Sequence, residues 1–175
     1  MMQNLINNYA IEVNELSDFV NLDNILNFKG DQEKHAPEYG TYAWKINNNN
    51  VNVLSFDSII NKSVLKSDIE YWYQIKVSRC NLKPHIDTHF RDVAIIFPII
   101  PKTYKISWFD GTDEDSNIIY THTYNGPTII NSNIPHGTLD KGLERHIFQV
   151  SLSFTNYSWK KIIDLYTTGH LFLIQ

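Results

Sequence analysis

The sequence predicts a mainly β protein, a sandwich or jelly roll with its helices at the two ends of the chain. Three observations point there. Between residues 41 and 154, short apolar or alternating runs recur with turn signals between them, which is the pattern of short strands in a closed or double sheet. Helix-like apolar spacing is confined to residues 12–29 and 159–166. Hydrophobic residues make up 42% and aromatic residues 13% of 175, enough for one packed core and too apolar for disorder. The expected organisation is one domain, 1–175, with a helical part at 1–40, a β core at 41–157 and a C-terminal helix and tail at 158–175.

In residues 12–29, Leu16, Phe19, Val20, Leu22, Ile25, Leu26 and Phe28 recur every three or four positions, predicting one or two short amphipathic helices. Ser17 or Asn21 would cap a segment and Gly30 would stop it. Residues 31–40, with Pro37 and Gly40, read as a loop. Strands are expected at 41–46 and 51–56, joined by a turn of Asn47 to Asn50, since asparagine tolerates positive φ. A further strand is expected in the second half of 69–78.

Residues 93–100 form a continuous apolar run, which suits a strand covered on both faces. Pro98 cannot donate to a ladder, so a bend or bulge is expected there. Strands at 104–109, 118–124 and 127–131 follow. The carboxylates of Asp110, Asp113, Glu114 and Asp115 lack calcium-loop spacing and read as a solvated hairpin tip. After the strand at 145–154, Ser158 would cap a helix over 159–166, Gly169 would end it, and 171–174 would return to the body of the fold.

Bulk properties exclude several functions. Fifteen basic against nineteen acidic residues give a formal charge of −4, which argues against tracking a phosphate backbone, so no nucleic-acid partner is expected. Cys80 is the single cysteine, which rules out an intrachain disulfide and fits a reducing, cytoplasmic setting. Its simplest role is a small buried strand residue. No apolar run approaches the ~20 residues of a membrane span. The start, Met1-Met2-Gln3-Asn4, lacks the features of a signal peptide.

The chemistry concentrates in Lys83-Pro84-His85-Ile86-Asp87-Thr88. Alternate residues of a strand share a face, so His85 and Asp87 present an imidazole and a carboxylate together. A second imidazole from His136, in Asn133-Ile134-Pro135-His136-Gly137, completes two histidines and one carboxylate. That ligand set, open on its far side, suits a non-haem Fe(II) oxygenase. Arg145, nine positions after His136, opens the last strand and can hold a carboxylate with two parallel hydrogen bonds. On that strand Arg145, Ile147, Gln149, Ser151 and Ser153 make a face polar enough to line a cavity. Its alternate face of His146, Phe148, Val150, Leu152 and Phe154 is suited to packing under helices.

The order His85-x-Asp87, His136 and Arg145 resembles the Fe(II)- and 2-oxoglutarate-dependent oxygenases, most closely their small aspartyl/asparaginyl β-hydroxylase-like branch. The resemblance covers residues 75 to 155, under half of the chain. It implies a cupin-like double-stranded β-helix with the N-terminal helices packed on one sheet. It implies that His85, Asp87 and His136 are the catalytic metal ligands for Fe(II), and that Arg145 binds the distal carboxylate of the cosubstrate 2-oxoglutarate. Dioxygen would be the other reactant, and hydroxylation of a small molecule or a peptide side chain the outcome. A retained carboxylate at Asp87 points to hydroxylation rather than halogenation. Many members carry Arg-x-Ser on the last strand, whereas this chain has Ile147 at that place, and Ser151 is the nearest serine on the face of Arg145.

Arg91, six positions after His85, is placed to reach cosubstrate or substrate, or is a surface arginine. His89 shares the face of His85 and Asp87 and is a supporting candidate. His122 and His146 read as packing or surface residues, and Tyr104 and Trp108 as pocket wall or core. Each ligand also has an ordinary reading: His85 and Asp87 as a hydrogen-bonded strand pair, Ile-Pro-His-Gly as a tight turn, Arg145 as a surface charge. Two other classes stay open. One is a cupin-like metalloenzyme that does not use 2-oxoglutarate, and the other is a non-catalytic jelly-roll binding module. Substrate and oligomeric state do not follow from the sequence.

Overall fold

The computed structural model describes residues 6–26, 33–34, 41–46, 59–61, 67–77, 82–87, 93–139, 143–154 and 158–173. The chain begins with strand β1 (Ala10–Glu12), a 3-10 helix (Asn14–Phe19) and a short helix α1 (Leu22–Leu26). Strands β2 (Glu33–Lys34), β3 (Thr41–Lys45), β4 (Ser67–Val77) and β5 (Leu82–His85) follow. Then come β6 (Val93–Ile100), β7 (Lys105–Phe109), β8 (Ile118–Thr123) and β9 (Thr128–Asn131). The last elements are β10 (His136–Thr138), β11 (Glu144–Phe154) and helix α2 (Trp159–Thr167).

Two antiparallel sheets result. One has seven strands in the order β1-β9-β6-β11-β4-β3-β2, and the other has four in the order β5-β10-β7-β8. From β4 onward the pairing is nested: β7 with β8, β6 with β9, β5 with β10, and β4 with β11. One long hairpin folded over on itself gives this pattern, and these eight strands form a jelly roll, or double-stranded β-helix.

The core lies in two layers that share β6. Val93, Ile95, Phe97 and Ile99 of β6 join Phe148, Val150 and Leu152 of β11 beneath Leu16, Val20 and Ile25 of the N-terminal segment and Trp159 and Ile162 of α2. Ala94 and Ile96 turn the other way, to Ile106, Trp108, Tyr124, Ile130 and Ile147 between the sheets. Burial on both faces is why β6 reads as an unbroken apolar run. The expected irregularity at Pro98 is present: the β6–β11 register steps from Ile100↔His146 to Pro98↔Ile147, leaving Ile99 unmatched. Proline offers no N–H to the ladder, so the mismatch falls beside it.

The ends of the chain close over the larger sheet. The Ser158 side chain accepts a hydrogen bond from the Lys161 N–H, capping α2, and Gly169 follows its end with φ +70°, as a helix stop requires. The Trp159 indole donates to the Asn7 carbonyl and the Tyr166 hydroxyl to the Glu12 carbonyl, tying the two ends together. Leu171 and Phe172 are buried, and Phe172 bridges to Ile60.

The N-terminal segment departs from expectation in three ways. Its first helix is 3-10, Ser17 lies inside that helix rather than at its cap, and β1 adds a strand beside β9. Only three residues long, β1 is below the reach of an alternation argument. Residues 33 and 34, read as loop, pair with β3. The expected Asn47 to Asn50 turn, the strand at 51–56, Gly30 and Cys80 lie outside the described residues. No helix among the described residues is long and apolar enough to cross a membrane.

Candidate metal centre

The site forms where β5, an edge strand, meets β10. An edge position tolerates Pro84, whose missing N–H would break an interior ladder. His85 ends β5 and His136 opens β10, and the two are register partners. Directly opposed residues of antiparallel strands hold their side chains side by side. The imidazole centroids are accordingly 4.5 Å apart at 44°. Asp87 lies just past the strand, where its N–H donates to the Ser132 carbonyl at 3.1 Å.

The structure brings His85, Asp87 and His136 together, with one ligand atom from each lying within 4.8 Å of the others. His85 Nε2 is 3.6 Å from one Asp87 oxygen and His136 Nε2 is 3.5 Å from the other. Those separations exceed a normal N–H···O bond. The opposite ring edges explain them. His85 Nδ1 is 2.9 Å from the Lys83 carbonyl oxygen, and His136 Nδ1 is 3.0 Å from that of Ile134. A carbonyl only accepts, so each Nδ1 carries the proton. In the neutral ring each Nε2 then carries the lone pair. Two such lone pairs and a carboxylate converge with no hydrogen between them, an arrangement that a cation resolves. Backbone bonding of the distal ring nitrogen is also how proteins orient metal-bound histidines. Asp87 and His136 are 6% and 5% exposed, and the His85 side chain is 36% exposed, so the open side of the triad lies toward His85.

A cavity of about 480 Å³, counted with its open mouth, runs from this triad between the sheets. Ile96, Ile106, Ile130 and Ile147 supply its apolar wall, and Tyr104, Tyr124, Thr138, Arg145 and Gln149 also line it. Arg145 is 1% exposed, and its guanidinium carbon lies 5.4 Å from the centre of the Tyr104 ring. Stacking on an aromatic face suits a planar guanidinium. Burial raises the Tyr104 phenol far above its usual range, and nearby Arg145 offsets this only in part, so the phenol stays neutral. Gln149 donates to the Ser151 hydroxyl at 2.9 Å, placing both on the inner face of β11.

The remaining candidates fall elsewhere. Arg91, His89 and Thr88 lie outside the described residues. Trp108 is core: it packs against Tyr9 and Tyr120, and its indole donates to the Asn131 carbonyl. His146 is on the outer face, 2.7 Å from the Tyr73 hydroxyl through Nδ1 and 2.7 Å from Glu144 through Nε2. His122 is buried beside Tyr124, with its pKa lowered by burial against an opposing pull from Glu12. Thr138 was not singled out in the sequence. It follows His136 by two, but the Ile-Pro-His-Gly turn reading hid the three-residue strand that would have marked it.

No family model matches this chain, and no curated protein does. Among solved structures, it is similar to a Pseudomonas putida prolyl-4-hydroxylase at 13% identity and a TM-score of 0.41, over 72% of this chain and 79% of that one. It is similar to an oxalate oxidase at 12% identity and a TM-score of 0.41, over 77% and 62%. It is similar to YcfD, a ribosomal oxygenase from Escherichia coli, at 14% identity and a TM-score of 0.39, over 79% and 38%. The chain thus spans less than two thirds of the oxalate oxidase and of YcfD. Likenesses of this degree do not enter the functional argument, which rests on the site.

Proposed function

We propose that this chain is a non-haem Fe(II)- and 2-oxoglutarate-dependent oxygenase that hydroxylates a small molecule or a peptide side chain. The observation that carries the reading is the pairing of two features in one cavity. At one end, two Nε2 lone pairs and one carboxylate converge. The same cavity is lined by a buried arginine. Two histidines and a carboxylate on one side of a metal, with the other side open, is the ligand arrangement of Fe(II) oxygenases. The resemblance of His85-x-Asp87, His136 and Arg145 to the aspartyl/asparaginyl β-hydroxylase-like branch is the finer part of the proposal.

His85, Asp87 and His136 would hold the iron, which when bound supplies activation of dioxygen coupled to oxidative decarboxylation of 2-oxoglutarate. Lys83 and Ile134 fix the imidazoles through their carbonyls, so the ligand atoms are set before metal arrives. Arg145 would neutralise the far carboxylate of the cosubstrate, a charge that is costly to bury unpaired. The isoleucine walls would exclude water from the apolar part of a bound acid.

Titration of the anaerobic Fe(II) protein with 2-oxoglutarate, following the charge-transfer band of the chelate, tests the reading. A saturable band that His136→Ala abolishes is expected. Succinate should form in a screen with ascorbate and pooled candidate substrates. Metal binding without cosubstrate binding would instead indicate a cupin-like enzyme acting directly on its substrate. Failure to bind metal would indicate a binding module.

A further inference from the structure

We infer that Thr138 supplies a hydroxyl that accompanies Arg145 on the distal carboxylate of the bound acid. The inference rests on the functional reading above. Ile147 occupies the position two after Arg145, is 3% exposed and offers only carbon to the cavity. Thr138 lines the same cavity at 7% exposure, and its hydroxyl has no hydrogen-bond partner among the described residues. A buried polar group without a partner is destabilising. A ligand oxygen arriving at that point removes the cost.

Register carries β10 from the triad along β7 toward the residues near the arginine. His136 pairs with Trp108 of β7 and Gly137 with Ser107, so the next residue of β10 advances toward Ile106 and Tyr104. Tyr104 is the residue over which Arg145 stacks. The β10–β5 register is irregular between His136 and Thr138, yet both residues line the same cavity. An acid chelated at the triad and reaching for Arg145 therefore shares that cavity with Thr138. The hydroxyl can donate to a carboxylate oxygen, and no acceptor among the described residues already takes its proton.

The test is ligand affinity, measured by anaerobic titration of the Fe(II)-loaded protein with 2-oxoglutarate and, separately, with oxalate. Oxalate chelates metal but has no distal carboxylate to reach Thr138. Thr138→Val keeps the shape and removes the hydroxyl. It should weaken 2-oxoglutarate by about tenfold or more, the loss expected for a hydrogen bond to a charged group. Oxalate and Fe(II) affinities should stay at wild-type values, and Thr138→Ser should restore the lost affinity. A merely structural role would lower both acids and the thermal midpoint together, and that outcome overturns the inference. So does wild-type 2-oxoglutarate affinity in Thr138→Val, which would mean that water alone meets the hydroxyl. If Arg145→Ala loses 2-oxoglutarate while Thr138→Val does not, the oxygenase reading stands and this inference falls. If the wild-type metalloprotein binds no 2-oxoglutarate, both fall.

Discussion

The two faces of β11 divide the work of one strand. Arg145, Ile147 and Gln149 line the cavity, while Phe148, Val150 and Leu152 are packed against the N-terminal segment and α2. Neighbours 3.2–3.4 Å apart along the backbone thus serve unrelated ends. The pleat insulates them: a change on one face alters the sheet's packing and a change on the other alters what the cavity holds. Substitutions in alternating positions should therefore separate stability from ligand binding.

The widest separation comes from a matched pair. Phe148→Ala opens the outer core, where its ring lies 5.4 Å from Phe97, and should cost about 3–5 kcal/mol of stability. The folded fraction should bind 2-oxoglutarate as wild type does. Arg145→Ala should do the reverse: Fe(II) is retained and cosubstrate affinity falls by roughly two to three and a half orders of magnitude. Urea melts and anaerobic titrations on both variants give the four numbers needed. Equal loss of cosubstrate affinity in both would mean that the faces are coupled.

A smaller effect is expected from pH. Burial first, and the charge of Glu144 second, raise the Tyr73 phenol on the outer face, and burial raises Tyr104 inside the cavity. The unfolded chain ionises these phenols near pH 10, before the folded one does. Stability is therefore whole below that pH and is lost as pH rises from there toward the raised folded-state pKa. Replacing either tyrosine with phenylalanine should flatten the alkaline fall in the urea midpoint, Tyr104→Phe the more strongly. His122 works in the opposite direction. Its lowered pKa means that the unfolded state takes up the proton first as pH drops through about 6.5, so acidification costs stability there.

Glu144→Gln should be smallest. Glu144 precedes Arg145 in sequence but pairs with His146, with its side chain 58% exposed. Such a pair contributes at most about 1 kcal/mol. The melting midpoint should move little and the cosubstrate titration not at all. A change in that titration would show that sequence proximity outweighs the pleat.

What the sequence disclosed follows the same division. Long segments with a single environment per face were legible: β6 from its unbroken apolar run, β11 from its alternation, α2 from Ser158 and Gly169. The candidate ligands were legible from residue type and order, because the chemistry restricts which side chains will serve. Short strands were not. β1 and β10 are three residues each, too brief for a period to show, and their pairing is set by partners far along the chain. Thr138 was lost with β10, since a threonine after a Pro-His-Gly turn carries no signal until the strand is known.

The nested pairing also ranks the strand closures by loop length. β7 and β8 are joined by a short tip and can close first; β6 with β9, then β5 with β10, require progressively longer loops to close. His85 and His136 belong to the third closure, so the candidate metal corner is absent from any partly folded chain that has zipped only the inner two pairs. Metal can then bind only a nearly complete barrel, and whatever it binds it stabilises by mass action. A metal held there would clamp a long-range pairing rather than any local part of the fold.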